Sequence, residues 1–203
     1  MNDVVILGLP ITPESLELVA RGFARVEVDE AARARVLRSR EAIDAIVRAG
    51  DAAPNVYGVN TGFGALAETR ISAADVRALQ RNLVRSHSTG IGQNLPPDCV
   101  RGIMLLRAQV LALGHSGVRL EVLDALVAML NARVIARIPA QGSVGASGDL
   151  APLAHLALAM IGEGEAAIVD ASNAEPTYEP SAKVLARAKL TAVVLEAKEG
   201  LAL

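Results

Sequence analysis

The residues with the clearest capacity for chemistry lie in one glycine-rich segment, 141–155, which reads Gln-Gly-Ser-Val-Gly-Ala-Ser-Gly-Asp-Leu-Ala-Pro-Leu-Ala-His. Its glycines let the backbone turn tightly and approach itself closely. In such a turn, the amide nitrogen of Gly148 can attack the carbonyl carbon of Ala146 and, with loss of that carbonyl oxygen as water, close a five-membered imidazolone ring. Loss of the Ser147 hydroxyl as water then leaves an exocyclic methylene conjugated with the ring. The segment is therefore able to make a strong electrophile from protein atoms alone.

Three simpler interpretations of the same segment stay open at this point. Backbone amides of a glycine-rich turn before a helix can cradle a phosphate, although no lysine follows here as it does in a P-loop. Ser147 could act as a nucleophile, but Asp149 stands where a Gly-x-Ser-x-Gly elbow has its last glycine. Asp149 could also simply cap the following helix, which would make the segment a structural turn.

Three motifs together resemble the aromatic amino acid ammonia-lyase family. They are the glycine-rich segment around Ser147, Tyr-Gly-Val-Asn-Thr-Gly-Phe-Gly beginning at Tyr57, and Asn-Leu-Val-Arg-Ser-His-Ser-Thr-Gly beginning at Asn82. The resemblance extends over nearly the whole chain, and long uninterrupted motifs of this kind are specific. It implies that Ala146, Ser147 and Gly148 form a 4-methylidene-imidazol-5-one (MIO) group autocatalytically, with no external cofactor. Asp149 would support the cyclising backbone.

The resemblance also implies a catalytic role for Tyr57, as the base that removes the β-proton of an amino acid substrate. A phenol titrates near pH ~10 when unperturbed, so it would need cationic or dipolar neighbours to act as phenolate near neutrality. Asn60 lies in the same glycine-rich loop and is expected to order it or to contact the substrate. Without the resemblance, Tyr57 is interpreted as an aromatic anchor for the loop.

The pair Ser86–His87 is the substrate-selecting pair by the same resemblance, and Ser-His at this place is typical of the histidine-specific members. An imidazole at His87 can hydrogen-bond the imidazole of L-histidine through either ring nitrogen. The implied reaction is elimination of ammonia from L-histidine to give urocanate. A phenylalanine or tyrosine lyase or an aminomutase is the alternative within the family. A histidine that only stabilises the helix C-terminus is the structural alternative for His87.

Composition predicts a mainly α fold with a few short strands, because the chain is rich in Ala, Leu and Val and only 2% aromatic. The resemblance implies the N-terminal part of the fumarase/aspartase-like helical fold of the lyases. A net charge of −2 argues against a nucleic-acid partner. Residues 100–113, the longest apolar segment, are too few to span a bilayer. One cysteine and three scattered histidines offer no metal site. Cytoplasm is expected because the N-terminus lacks a basic region before its short apolar run.

Helix-capping residues and apolar periodicity predict the elements that carry these motifs. A helix is predicted to begin at Thr12–Pro13, and further helices to cover 29–48, 72–87, 96–113, 120–132, 149–161 and, with an interruption near Leu190, 181–203. Strands are predicted over 4–7 and 26–28, with 166–170 and 177–179 paired as a hairpin. The glycines and proline of 49–64 predict a long loop, and long ordered loops are more often functional than not.

Family members continue well past Leu203, and 195–203 resembles the stretch just before their active-site Ile-Asn-Gly-Thr. The sequence 1–203 is therefore expected to be the MIO-bearing N-terminal portion of a longer lyase that is a homotetramer when complete, with the C-terminal helical bundle absent. On that expectation the 203-residue chain alone is catalytically inactive. An alternative of another class is a truncated chain that acts only as a folded assembly module.

Overall fold

The computed structural model describes residues 4–143, 150–170 and 175–203. Eight α-helices lie in these ranges: α1 Pro13–Ala20, α2 Glu30–Ala49, α3 Val76–His87, α4 Pro97–Ala112, α5 Leu120–Asn131, α6 Leu150–Met160, α7 Ser181–Arg187 and α8 Glu199–Ala202. Two single 3₁₀ turns, Gly50–Ala52 and Gly64–Leu66, lie between α2 and α3. Seven short strands accompany them: β1 Val4–Leu7, β2 Arg25–Val28, β3 Ile91–Asn94, β4 Val134–Ala136, β5 Pro139–Gln141, β6 Glu165–Ile168 and β7 Glu179–Pro180. The prediction of a mainly α chain is confirmed. The predicted MIO triplet 146–148 and Asp149 lie outside the described residues.

The first helices begin where their capping residues predict. The Thr12 hydroxyl accepts a hydrogen bond from the amide of Ser15 at 3.2 Å, and the Asp29 carboxylate accepts one from Ala32 at 3.0 Å. The predicted start of α3 at Ser72 is wrong by four residues. The Ser72 hydroxyl bonds the carboxylate of Asp75 at 2.6 Å instead of a backbone amide, so it does not cap the helix.

Helices α4 and α5 form the centre of the core, and α1 packs against α4. Their inward residues are fully buried, among them Met104, Leu105, Leu111, Leu123 and Leu126. Each such side chain contributes about 1.5–3 kcal/mol by leaving water. The apolar stripes of these helices therefore supply much of the stability of the chain.

Arg101 is buried among these apolar residues, at 1% exposure, and has no carboxylate partner among the residues that the structure describes. Its guanidinium donates to the carbonyl of Val19 at 2.8 and 3.0 Å and to that of Leu130 at 3.0 Å. These carbonyls belong to the last turns of α1 and α5, where the helix dipole is negative. The Phe23 ring lies 4.4 Å from the guanidinium carbon and adds a cation–π contact. Arg101 thus joins two helix ends, although burial lowers its pKa to about 10.

The strands form three small sheets. Strands β1 and β2 are parallel, β3 pairs with β5, and the third sheet has the order β4-β6-β7 with antiparallel neighbours. The predicted pairing of the segments that contain β6 and β7 is confirmed. The sequence did not predict β3, β4 or β5. In particular Ile-Gly-Gln-Asn at β3 has no apolar alternation, and its strand state comes from pairing with β5.

The predicted interruption of the last helix near Leu190 is confirmed, but the prediction that helix resumes directly after it is wrong, because the next helix begins only at Glu199. Helix α7 ends at Arg187, where Lys189 takes a left-handed φ of +58° and the amide of Leu190 bonds the carbonyl of Leu185 at 2.9 Å. The chain then runs without regular structure until α8. Within the described ranges, no helix has the length and apolar character needed to cross a bilayer.

Candidate functional site

A cleft of about 110 Å³ lies where α3, the first turns of α6 and the C-terminal residues meet. Its walls are mainly apolar and it has two basic side chains, His87 and Arg107. The apolar walls are formed by Leu83, Val84, Leu150, Leu153, Ala154, Ala157, Leu201 and Leu203. Because Leu150 is the first described residue after the predicted MIO triplet and Asp149, this cleft adjoins the predicted MIO position in sequence.

The ring of His87 is held by one of its two nitrogens. Its Nδ1 lies 2.9 Å from the carbonyl oxygen of Leu83 and 3.1 Å from the Ser86 hydroxyl. A carbonyl only accepts hydrogen bonds, so Nδ1 must carry a hydrogen, and in the neutral ring Nε2 is then an acceptor. The Ser86 hydroxyl donates to the same carbonyl at 2.9 Å. Ser86 is exposed and does not line the cleft, so here it orients the ring of His87.

Arg107 makes the cleft favourable for negative charge. Its guanidinium donates one hydrogen bond, to the carbonyl of Ala202 at 3.3 Å, and within the described ranges its buried Nε has no partner. Burial lowers the pKa of Arg107. A buried cation without a carboxylate attracts an anion or a hydrogen-bond acceptor strongly.

Tyr57 lies in the loop predicted between α2 and α3, with 49% of its surface exposed. Its ring meets that of Phe63 edge to face, with centroids 5.6 Å apart. Asn60 organises this loop from within. Its side-chain oxygen accepts from the amide of Val56 at 2.7 Å, and its nitrogen donates to the carbonyl of Pro54 at 3.0 Å. The side-chain amide of Asn60 is therefore hydrogen-bonded within its own loop, and its contact with a substrate stays a prediction.

The Tyr57 loop and the cleft share one wall residue, Leu201. Gly58, next to Tyr57, has a φ of +71°, and a Cβ placed there would lie 2.5 Å from Cδ2 of Leu201. Only glycine fits this close approach. The structure thus places Gly58, the residue after Tyr57, against Leu201, which also lines the cleft that contains His87.

The two described ends of the glycine-rich segment meet at a small-residue contact. A Cβ placed on Gly142 would lie 2.9 Å from Cβ of Ala151 and 3.0 Å from Cα of Gly90. His155 supports this contact, since its Nε2 accepts from the amide of Gly90 at 3.1 Å. Burial lowers the pKa of His155, and the nearby Arg137 lowers it further. Gly142 and Ala151 therefore lie close together on either side of the predicted MIO triplet, and His155 has the structural role that its apolar helix predicts.

Two buried polar residues of the site were missed by sequence reasoning. Gln80 and Glu199 are both 0% exposed. Both hold α8, the single helical turn Glu199–Ala202, hereafter the C-terminal turn. In the sequence, Gln80 is an ordinary polar residue of an amphipathic helix and Glu199 belongs to a charged Lys-Glu-Gly stretch. Neither pattern distinguishes a buried from a solvated side chain. In the part of the chain that the structure describes, no group of three His, Cys, Asp or Glu side chains could hold a metal ion.

Comparison with known proteins gives a matching family model and relatives of similar sequence. The family model described as aromatic amino acid lyase matches residues 11–203. A histidine ammonia-lyase from Sorangium cellulosum (strain So ce56) is 61% identical over 199 residues, which cover 98% of this chain and 38% of that protein.

Two solved structures extend the comparison to three dimensions. The crystal structure of histidine ammonia-lyase from Trypanosoma cruzi matches with a TM-score of 0.86 at 40% identity, covering 98% of this chain and 37% of that one. The ergothioneine degrading enzyme ergothionase from Treponema denticola matches with a TM-score of 0.89 at 31% identity, covering 98% and 38%. The chain spans 37–38% of the length of these three relatives.

Proposed function

Since the chain belongs to the aromatic amino acid lyase family, we propose that it supplies the Tyr57 and His87 side of a histidine ammonia-lyase active site. The reaction is elimination of ammonia from L-histidine to give urocanate. The observation that carries the proposal is the His87 imidazole, which lines an apolar cleft with its Nδ1 already bonded. The name shared by the Sorangium and Trypanosoma relatives supports the same substrate.

The geometry of His87 gives a physical basis for choosing histidine. With Nδ1 committed to the Leu83 carbonyl, the neutral His87 ring offers Nε2 as an acceptor for the N–H of a substrate imidazole. The ring of phenylalanine has no such donor, and a buried acceptor left unpaired costs binding energy. The leucines of the cleft exclude water from this contact and so strengthen it.

Tyr57 is proposed as the group that takes the β-proton. Its phenol is half exposed and packs against Phe63 only at the ring edge, so its oxygen is available to a substrate. The MIO group, formed from Ala146, Ser147 and Gly148, would supply the electrophile for the substrate amine. The described residues on either side of this triplet lie close together, since a Cβ placed on Gly142 would be 2.9 Å from Cβ of Ala151, and this closeness supports the assignment.

The first experiment is a substrate comparison. A chimera in which this chain replaces the matching residues of the Sorangium relative is expected to convert L-histidine to urocanate. Phenylalanine, tyrosine and ergothioneine are assayed beside it, and preference for one of them would contradict the histidine assignment. The 203-residue chain alone is expected to be inactive, and urocanate formed by it would contradict that expectation.

The variant His87→Leu tests the hydrogen bond that defines the proposed specificity. In the chimera it is expected to lower kcat/KM for histidine by about tenfold or more, because one buried hydrogen bond is lost. Phenylalanine turnover should fall less or rise, since leucine suits an apolar ring. Ser86→Ala is the matched control, with a smaller loss expected because Ser86 only orients the ring. Equal losses for histidine and phenylalanine would contradict the specificity role of His87.

The MIO group has its own test in the intact mass of the purified chain. A deficit of two water molecules, mapped to the peptide that contains Ser147, would support ring formation by this chain. Ser147→Ala should abolish the deficit. An unmodified mass would mean that cyclisation needs further residues or partner subunits, as in a homotetramer. Tetramer formation and the cytoplasmic location stay predictions.

A further inference from the structure

The position of the Tyr57 ring depends on the backbone that carries it. Half of the residue is exposed, and its one ring–ring contact within the described ranges is the edge of Phe63. Asn60 shapes the loop through bonds to Val56 and Pro54, but these residues belong to the loop itself. Further bonds, from Asn55 to the carbonyl of Glu68 and from Arg70 to that of Ala53, also lie within the connection between α2 and α3. Holding the phenol against a substrate therefore needs an attachment from this connection to a helix.

Gln80 of α3 makes that attachment with both ends of its side-chain amide. Its Oε1 accepts from the amide of Gly200 at 2.9 Å, and its Nε2 approaches the carbonyl of Gly58 at 3.4 Å. Gln80 is completely buried, so water does not compete for either bond. One side chain thus links the residue after Tyr57 to the C-terminal turn that walls the His87 cleft.

The C-terminal turn is itself fixed by a buried carboxylate. Glu199 accepts two hydrogen bonds from the Arg119 guanidinium, both at 2.8 Å, and further bonds from the amides of Arg119 and Glu196. Gly200 then lies so close to α3 that an added Cβ would meet the carbonyl of Gln80 at 2.6 Å. The turn is therefore a rigid support between α3 and the Tyr57 loop.

We propose that Gln80 is a positioning residue for Tyr57, which it holds by tying Gly58 to the turn that Glu199 fixes. The inference rests on the proposed function, in which Tyr57 takes a proton from the substrate. Gln80 touches no reacting atom in this scheme. It acts through the backbone at Gly58 and, through Gly200 and Leu201, fixes the position of Tyr57 relative to the cleft.

The test observes Tyr57 directly, because the chain has two tyrosines and no tryptophan. The chain is labelled with 3-fluorotyrosine, and Tyr178→Phe assigns the two ¹⁹F resonances. Gln80→Met keeps the side-chain volume and removes both hydrogen bonds. It is expected to move the Tyr57 resonance by more than its line width and to leave that of Tyr178 in place. Amide exchange at Val59 should become about tenfold faster, as for the loss of one hydrogen bond.

Gln109→Met is the matched control. The Gln109 amide also bridges two backbone groups, with the amide of Gly8 and the carbonyl of Leu9 each at 2.8 Å, but on the β1 side of α4. It should leave Tyr57 unchanged while lowering the unfolding midpoint. Gln80→Glu is the second variant, since it keeps the acceptor for Gly200 and removes the donor for Gly58; it should also move the Tyr57 resonance. An unchanged Tyr57 resonance in both Gln80 variants, or an equal shift in Gln109→Met, would overturn the proposal.

Turnover measurements distinguish a failure of this inference from a failure of the proposed function. In the chimera, Gln80→Met is expected to lower kcat for histidine by about tenfold or more with KM within about twofold, because binding at His87 is kept while the base is misplaced. A parent chimera that does not convert histidine would refute the proposed function, and the ¹⁹F result would still decide whether Gln80 positions Tyr57. Full kcat in a variant whose Tyr57 resonance has moved would overturn the catalytic importance of this positioning.

Discussion

Two carboxylates of this molecule each bind one arginine through two parallel hydrogen bonds, in very different surroundings. Glu199 binds Arg119 with both bonds at 2.8 Å, and its side chain is 0% exposed. Glu163, just after α6, binds Arg85 of α3 with both bonds at 2.7 Å, and these side chains are 32% and 47% exposed. The fork geometry is the same, so the differences come from burial and from the other partners.

The buried carboxylate does more than pair with a cation. Its oxygens also accept the amides of Arg119 and Glu196, at 3.0 and 2.7 Å, and one oxygen lies 3.6 Å from the guanidinium of Arg40. Glu199 thus sets the path of the backbone beside the candidate site, whereas the Glu163 pair joins two helix surfaces that already pack together. Two ion pairs of the same geometry therefore differ in role: the buried pair fixes the path of the backbone, whereas the exposed pair adds a contact between surfaces that already pack together.

Glu199→Leu should have the largest effect on stability. It leaves Arg119 and the mostly buried Arg40 without their shared anion, and it leaves two backbone amides unpaired. Breaking a buried ion pair in this way costs roughly 3–5 kcal/mol. Urea denaturation of the chain measures the free energy of unfolding. A loss below about 1 kcal/mol, the range of exposed pairs, would remove the contrast between the two carboxylates.

The double variant Glu199→Leu, Arg119→Leu sharpens the same comparison. Removing the cation together with the anion leaves less uncompensated charge, and replacing a buried pair by apolar residues is often close to neutral. We therefore expect the double variant to be more stable than Glu199→Leu alone. Additive losses would instead show that Glu199 acts through the backbone amides and not through Arg119.

The comparison also shows what the sequence can and cannot predict about the site. The family motifs identified Tyr57 and His87, and the structure places His87 in the cleft and Gly58, the residue after Tyr57, beside the cleft residue Leu201. Gln80 and Glu199 were not identified, since their burial depends on contacts that are distant in sequence. The bond between Gln80 and Gly200, for example, joins positions 120 residues apart.

The elements of the fold likewise divide into those that local sequence signals predict and those that contacts distant in sequence determine. The caps Thr12 and Asp29 are local signals, and they predicted the starts of α1 and α2 correctly. The last part of the chain has helical composition, yet it has no regular structure where the amide of Val193 bonds the carbonyl of Met160 at 2.9 Å. That contact overrides the local helix propensity, which is a weak preference in each residue.

Glu163→Gln should have the smallest effect at neutral pH, under about 1 kcal/mol, because its pair with Arg85 is exposed. Its effect should depend on pH in a defined direction. The hydrogen bonds from Arg85 lower the pKa of Glu163 below its ordinary value of 4.5. The unfolded chain then binds the proton more readily, so this contribution to stability is present above pH 4.5 and is lost as the pH falls through the folded pKa.

Urea denaturation across this acidic range measures that loss, and Glu163→Gln should make the acid dependence of the unfolding free energy shallower. Arg85→Gln is the matched variant, because it removes the cation and lets the pKa of Glu163 return toward its ordinary value. The two variants together should flatten the profile no more than either one alone. A loss of stability in Glu163→Gln as large as that in Glu199→Leu would contradict this expectation. In that case exposure would not explain the difference between the two ion pairs. The surface contact between α3 and the end of α6 would then be as important to the fold as the buried carboxylate beside the site.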